Sequence, residues 1–160
     1  MIHIIGNGGH SRVVQSILNK QYKGFQVHEN HIEFIHTGID HVSVVIAVGN
    51  NRSRKKIKES LSHIELVFPN VISEHAIISD DVNLGQGNVI CTGAVIESGC
   101  NIGDFNIINT NSSINHDSVI ENFVHLAPHA SLCGDCRIGD LVMIPTGTNI
   151  IPKWVINLRY

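Results

Sequence analysis

Histidines beside acidic or polar residues are the side chains of this sequence best suited to chemistry. His116 is followed directly by Asp117, His125 comes nine residues later, and His129 lies shortly after that. Imidazole gains and loses a proton near neutral pH, so it serves as a general acid or base. A set of three histidines also suits a catalytic zinc ion. A histidine on a surface is often only solvated, and the spacing alone leaves these interpretations open.

Two glycine-rich turns, Gly6-Asn7-Gly8-Gly9-His10 and Gly49-Asn50-Asn51, each follow a predicted strand and precede a predicted helix. In chain order these strands and helices are Ile2–Ile5, Ser11–Lys20, Val42–Val48 and Arg52–Ser60. Such a turn presents main-chain N–H groups to a phosphate at a helix N-terminus, or it simply connects the two elements tightly. Ser11 stands where a dinucleotide-binding turn needs its third glycine, so NAD binding is disfavoured.

A period of six residues dominates the chain from residue 72 onward. All fifteen positions counted in steps of six from Ile72 to Ile156 are Ile or Leu. Neither a helix, with its spacings of three and four, nor an alternating strand explains such a column. Three six-residue sides that form one triangular coil do explain it, and stacked coils pair every main-chain ladder. The pattern predicts a left-handed parallel β-helix of hexapeptide repeats.

A second column of smaller residues lies four positions after each aliphatic residue and includes Cys100 and Cys136. We therefore interpret the Cys133–Cys136 CxxC motif as structural, without a metal. Trp154 is too large for this column and is expected to cap the open end of the prism. Gly85, Gly103 and other Gly or Asn residues follow the aliphatic column directly, and we expect them to form the tight corners.

Composition excludes several classes of protein. Only 16% of the 160 residues are charged, the net charge is -3, and no basic stripe could follow a nucleic acid. No signal peptide and no apolar stretch long enough to span a membrane is found, so we expect a soluble cytoplasmic protein. The predicted domains are a small Rossmann-like α/β domain, residues 1–68, and an all-β helix domain, residues 69–160. The α/β domain contains His28, His31, His36, His41 and His63, and we expect most of them to lie at its surface.

The chain resembles the bacterial sialic acid O-acetyltransferase (NeuD) family, which includes UDP-4-amino-sugar N-acetyltransferases of the bacillosamine type. Three motifs carry the resemblance from residue 1 to about residue 144. They are Ile5-Gly6-Asn7-Gly8-Gly9-His10, Ile46-Ala47-Val48-Gly49-Asn50-Asn51 with Arg54-Lys55-Lys56, and Asn115-His116-Asp117-Ser118-Val119-Ile120 with Phe123-Val124-His125.

The resemblance implies an acetyl-CoA-dependent O- or N-acetyltransferase that acts on a nucleotide sugar or sialic acid. It implies that His116 is the general base, that Asp117 supports it, and that the site lies between subunits of a homotrimer. Residues implied to contact acetyl-CoA are His125, Gly134 and Thr146. Residues implied to bind the sugar nucleotide are Gly8, Gly9, His10, Gly49 and Asn50.

Two departures from the family pattern keep other functions open. The paired acidic residues usual after the second strand are missing from Phe25–Asn30, and relatives continue for further coils beyond residue 144. The alternative is therefore a non-catalytic sugar-nucleotide-binding or scaffold relative without the full acetyl-CoA groove. A zinc-dependent β-helix carbonic anhydrase fits less well, because the glycine-turn domain has no place in it.

Overall fold

The computed structural model describes residues 1–22, 24–38 and 41–157. Its N-terminal part is a parallel sheet with the strand order β2-β1-β3-β4, connected by three helices. The elements are β1 (Ile2–Ile5), α1 (Gly9–Gln21), β2 (Phe25–His28), α2 (His31–His36), β3 (Val42–Ile46), α3 (Asn51–Ser60) and β4 (Leu66–Val67). The strand, glycine turn and helix order predicted from the sequence is present at both turns. A parallel α/β unit therefore begins the chain.

The predicted element bounds need small corrections. Helix α1 begins at Gly9, with Gly8 as its N-cap, so His10 lies in the first turn of the helix rather than before it. Strand β3 ends at Ile46, two residues earlier than predicted. His36, His41 and His63 are exposed, in line with the prediction for most histidines of this part, whereas His28 is buried beside His3, with His3 Nδ1 and His28 Nε2 3.0 Å apart.

A solenoid of five coils follows, built from two-residue strands. They are β5 (Val71–Ile72), β6 (Ile77–Ile78), β7 (Asn83–Leu84), β8 (Val89–Ile90), β9 (Val95–Ile96), β10 (Asn101–Ile102), β11 (Ile107–Ile108), β12 (Ser113–Ile114), β13 (Val119–Ile120), β14 (His125–Leu126), β15 (Ser131–Leu132), β16 (Arg137–Ile138), β17 (Met143–Ile144), β18 (Asn149–Ile150) and β19 (Val155–Ile156). Every third strand pairs in parallel, which gives three five-stranded sheets. We name them the β5, β6 and β7 sheets after their first strands.

The interior of the solenoid confirms the six-residue period. The aliphatic column forms one core, partly open at the two ends, and Cys100 and Cys136 are fully buried within it. The cysteines are therefore packing residues, as predicted. Trp154, in the last coil, is 51% exposed.

The corners of the solenoid depend on a position that the sequence analysis did not select. Left-handed backbone angles occur at the fourth hexad position, in three columns with an 18-residue spacing. The columns are Gly87, Phe105, Phe123 and Leu141; Gly93, Asn111, His129 and Gly147; and Gly99, Asp117, Asp135 and Lys153. Gly85 and Gly103 have a different purpose, because a Cβ atom at either would collide with an Asp or Asn side chain one coil further on.

The α/β unit packs on the β5 sheet and on one corner. Apolar residues of α1 share a core with Val71, Val89 and Cys91 of the solenoid. Phe105, Phe123 and Leu141, which we call the docking corner, join a core that contains apolar residues of β1, β3 and α2. The predicted boundary at residues 68 and 69 falls between β4 and β5, and these two cores fasten the parts together across it.

Candidate active site

His116 and Asp117 form a hydrogen-bonded dyad at the corner between the β6 and β7 sheets. We call this corner, with its column Gly99, Asp117, Asp135 and Lys153, the dyad corner. The Nδ1 atom of His116 lies 2.8 Å from Oδ2 of Asp117, and the two side chains are 68% and 67% exposed. Both side chains project outward, as the hexad position predicted. The sequence therefore delivers an accessible imidazole with a carboxylate partner.

The dyad fixes which nitrogen of His116 is free for chemistry. An ionised carboxylate only accepts hydrogen bonds, so in the neutral ring Nδ1 carries the proton and donates it to Asp117. The Nε2 atom then keeps its lone pair. A lone pair on an exposed imidazole held by a carboxylate is the arrangement of a general base.

Gly134, which was predicted to contact acetyl-CoA, lies against the His116 ring. A Cβ atom at position 134 would collide with the imidazole, so only glycine leaves room for the ring there. The main chain continues the stack, since Asp135 N donates to the His116 carbonyl at 2.9 Å. The structure thus brings three predicted residues, His116, Asp117 and Gly134, together at one corner.

His125 belongs to a second group of polar residues, on the β5 sheet. Its Nε2 accepts a hydrogen bond from Asn109 Nδ2 at 3.0 Å, an orientation fixed because Asn109 Oδ1 accepts from Thr110 N. Burial first, and the charge of Arg54 second, lower the pKa of His125 to about 4, although a hydrogen bond to the Gly49 main chain acts in the opposite direction. His125 is therefore a neutral hydrogen-bonding group at physiological pH.

His10, in the first turn of α1, shares this environment. Burial first, then Arg54 and His125, lower its pKa to about 4. Its Nε2 is buried without a hydrogen-bond partner among the described residues. His10 and Gly49 are neighbours, because a Cβ atom at Gly49 would lie 3.8 Å from the Cβ of His10. The two glycine turns thus meet at the carboxyl ends of β1 and β3, next to His125.

Arg54 joins the second glycine turn to the solenoid, and the sequence analysis gave it no such role. Arg54 is 1% exposed, and within the described residues its guanidinium donates only to neutral acceptors. The acceptors are the carbonyls of Val48, Gly49, Phe105, Phe123 and Val124, and Oδ1 of Asn51. Asn51 in turn donates to the carbonyls of Leu141 and Val142 at 3.0 and 3.1 Å. The acceptors of Arg54 lie up to 70 residues away along the chain, so no local sequence pattern reveals them.

The remaining predicted residues lie apart from the dyad. Gly8 and Gly9 are exposed at the start of α1, and the exposed Asn50 caps α3 by accepting from Ser53 N at 2.9 Å. Thr146 is exposed next to Gly147, at the corner between the β5 and β6 sheets. Within one chain, the dyad, the glycine turns and Thr146 therefore occupy different edges of the prism.

Two further properties bear on the class of protein. Across the described ranges, no cluster of three or more His, Cys, Asp or Glu side chains is arranged to hold a metal ion. Within one chain, His116, His125 and His129 lie on different corners or faces, so a shared zinc site would need histidines from neighbouring subunits. No helix in the described parts of the chain is both long and apolar enough to cross a membrane.

The fold resembles solved structures of acetyltransferases. The acetyltransferase domain of PglB from Neisseria gonorrhoeae, solved in complex with acetyl coenzyme A, is 29% identical. The match covers 96% of this chain and 83% of that chain, with a TM-score of 0.85.

Two other solved structures are similar. PerB from Caulobacter crescentus, solved with CoA and GDP-perosamine, is 26% identical over 96% of this chain and 81% of that chain, with a TM-score of 0.87. WeeI from Acinetobacter baumannii shares the fold, with 23% identity over 97% and 92% of the two chains and a TM-score of 0.72. No model of a known protein family and no curated protein sequence matches the chain.

Proposed function

We propose that this chain transfers an acetyl group from acetyl-CoA to a nucleotide-activated sugar, with His116 as general base. The observation that carries the proposal is the exposed side chain of His116, whose Nε2 is left unprotonated by the hydrogen bond from Nδ1 to Asp117. Gly134 leaves room for the imidazole, since a Cβ atom there would collide with the ring. Similarity to structures solved with acetyl coenzyme A and with CoA supports the choice of acetyl donor.

In the proposed reaction, Nε2 of His116 removes a proton from the acceptor amine or hydroxyl as that group attacks the thioester carbonyl. A new C–N or C–O bond forms, the C–S bond breaks, and the CoA thiolate leaves and takes up a proton. Asp117 stabilises the imidazolium that forms between these steps. His125 and Thr146 are proposed to contact acetyl-CoA, as is Gly134.

The proposed acceptor site is the meeting point of the two glycine turns. The N-termini of α1 and α3 both point toward it, and Arg54 adds a positive charge whose acceptors, in the part of the chain that the structure describes, are all neutral. Helix N-termini and an unneutralised cation favour an anion such as a sugar diphosphate. Gly8, Gly9, His10, Gly49 and Asn50 are the residues proposed to line it.

We propose that the complete site forms between chains of a homotrimer with left-handed β-helices. The α/β unit of one chain contacts the β5 sheet and the docking corner, whereas the dyad lies on another edge of the same prism. A neighbouring α/β unit placed against the dyad corner would bring an acceptor to His116.

The first test is acceptor-dependent release of CoA thiol from acetyl-CoA. GDP- and UDP-linked 4-amino sugars and sialic acid should be offered in parallel, since one structural neighbour is solved with GDP-perosamine. We expect the amino-sugar nucleotides to be the better acceptors, and His116→Ala to lower kcat by about 10²- to 10⁴-fold.

The matched control is His129→Ala. His129 is also exposed and occupies a left-handed corner position, but it lies on another edge. Its variant should keep near-normal activity. Full activity of His116→Ala would remove the proposed base, and a protein that binds a sugar nucleotide but releases no thiol with any acceptor would be a non-catalytic relative.

A further inference from the structure

The dyad rests on the coil that precedes it, and the contact point is Gly99. Gly99 lies 18 residues before Asp117, at the same corner position, and has a φ of +74°. A Cβ atom built on Gly99 would lie 2.6 Å from Oδ1 of Asp117, which is closer than real Cβ contacts allow. The Asp117 carboxylate therefore occupies the space that any side chain at position 99 would need.

The Gly99 turn is itself held from below by Asp81. One carboxylate oxygen, Oδ2, accepts from Ser98 Oγ at 2.7 Å and from Gly99 N at 3.0 Å. From above, Asp117 N donates to the Ser98 carbonyl at 3.1 Å. These bonds fix Ser98 and Gly99 between an acidic residue of the first coil and the dyad.

The position of the Asp117 carboxylate decides the protonation pattern of His116. One oxygen, Oδ2, accepts from His116 Nδ1 at 2.8 Å, while Oδ1 packs over Gly99. Displacing Oδ1 rotates the whole carboxylate, because the two oxygens share one plane. A rotated carboxylate no longer accepts the hydrogen bond that keeps the proton on Nδ1. The proton can then reside on Nε2, which leaves that nitrogen without a free lone pair.

We infer that Gly99, braced by Asp81 and Ser98, is a positioning residue that sets the hydrogen bond between Asp117 and His116. The inference rests on the proposed function for its catalytic meaning, although the contact is a property of the fold. Gly99 does not touch the reacting atoms and acts through Asp117.

The test compares Gly99→Ala with Gly93→Ala. Gly93 holds the same hexad position one corner earlier, has a φ of +72°, and faces the side chain of Asn111 in the way that Gly99 faces Asp117. Both variants place alanine in a left-handed conformation and force one side chain aside, so both lose similar stability. Only Gly99→Ala disturbs the dyad.

Nitrogen-15 NMR of histidine-labelled protein at neutral pH reports the tautomer of His116 without any substrate, and His116→Gln assigns the signal. Wild type and Gly93→Ala should show the proton on Nδ1, whereas Gly99→Ala should shift it largely to Nε2. An unchanged tautomer in Gly99→Ala, or an equal loss in Gly93→Ala, would overturn the inference. This readout is independent of whether the protein acetylates any sugar.

Kinetics then measure the consequence. Gly99→Ala should lower kcat at least tenfold with KM values within twofold, and Gly93→Ala should leave kcat within threefold. In an Asp117→Ala background, Gly99→Ala should add less than a twofold loss, because its effect passes through Asp117. If the two substitutions lowered kcat independently, so that their fold-losses multiplied, Gly99 would not act through Asp117. A wild type without activity would overturn the proposed function, and the NMR result would still decide the role of Gly99.

Discussion

The docking corner and the dyad corner have the same backbone conformation, but their side chains have different roles. Both place successive residues in left-handed conformations at an 18-residue spacing. At the docking corner these residues are Phe105, Phe123 and Leu141, buried under the α/β unit. At the dyad corner the equivalent column carries the exposed Asp117.

The difference shows how a repeat fold separates structure from function. A left-handed conformation costs a non-glycine residue about 1–2 kcal/mol. The docking corner offsets that cost by burying two stacked rings, Phe105 and Phe123, whose centroids are 5.2 Å apart. The dyad corner recovers part of it through the ladder from Asp117 to Ser98 and leaves the side chain free for chemistry.

The largest expected effect is the loss of stability when Arg54, which links the α/β unit to the docking corner, is replaced. Arg54→Met leaves five main-chain carbonyls without their buried donor, and we expect a loss of about 3 to 4 kcal/mol in the free energy of unfolding. Urea denaturation measures it. Lys56→Met, an exposed position on the same helix, is the control and should change stability by less than about 0.5 kcal/mol. Equal effects would contradict the role of Arg54 as the fastening between the two parts.

Acid should weaken the docking region through His10 and His125. Their pKa values are lowered to about 4 in the folded protein, against an ordinary value of 6.5. Below pH 6.5 the unfolded chain therefore binds protons that the folded chain refuses, so stability falls as the pH drops toward 4. From pH 7 to 4.5 each histidine accounts for a loss of about 2 kcal/mol.

The double variant His10→Gln and His125→Gln isolates this effect. Free energies of unfolding should be measured for wild type and variant at both pH values. The carboxylates contribute equally to the two proteins, so the difference between their pH slopes belongs to the two histidines. Identical slopes would show that these imidazoles are protonated in the folded state.

The smallest expected effect separates backbone cost from side-chain benefit at the corners. Lys153→Gly, at the exposed end of the dyad corner with a φ of 65°, should raise stability by about 0.5 to 1 kcal/mol. Leu141→Gly gives the same backbone relief at the docking corner but removes a buried side chain, so it should lower stability by about 2 kcal/mol. Thermal unfolding distinguishes them. Stabilisation by both variants would remove the distinction between the two corners.

Much of the solenoid could be predicted because its pattern is local. Each aliphatic residue follows the last by six positions, and parallel pairing of identical coils leaves one register that keeps the column inside. The contact between His116 and Asp117 could be predicted for the same reason, since neighbouring residues at one corner project to the same side. The bounds of β1, α1, β3 and α3 were predicted to within two residues, whereas no bounds were predicted for β2, α2 and β4.

The unpredicted features all depend on partners far along the chain. In the sequence, Arg54 is one of several basic residues of a helix. Its burial depends on the carbonyls of Phe105 and Phe123, which belong to the solenoid. The burial of His28 was not predicted, because it depends on His3 of β1 and on Phe34, which packs against both rings. The relation of Gly99 to Asp117 was available from the 18-residue spacing, but only with the corner position correctly assigned to the fourth residue of the hexad.

Because the register repeats every 18 residues, equivalent positions recur along the solenoid axis only in steps of one coil. Neighbouring strands in a sheet lie roughly 4.8 Å apart, so an inserted or deleted coil moves a side chain along the prism by that step and leaves it on the same edge. The height of His116 above the α/β unit is therefore adjustable only in whole coils. Acceptors of different length could be matched by copying or removing one repeat, with no redesign of the dyad itself.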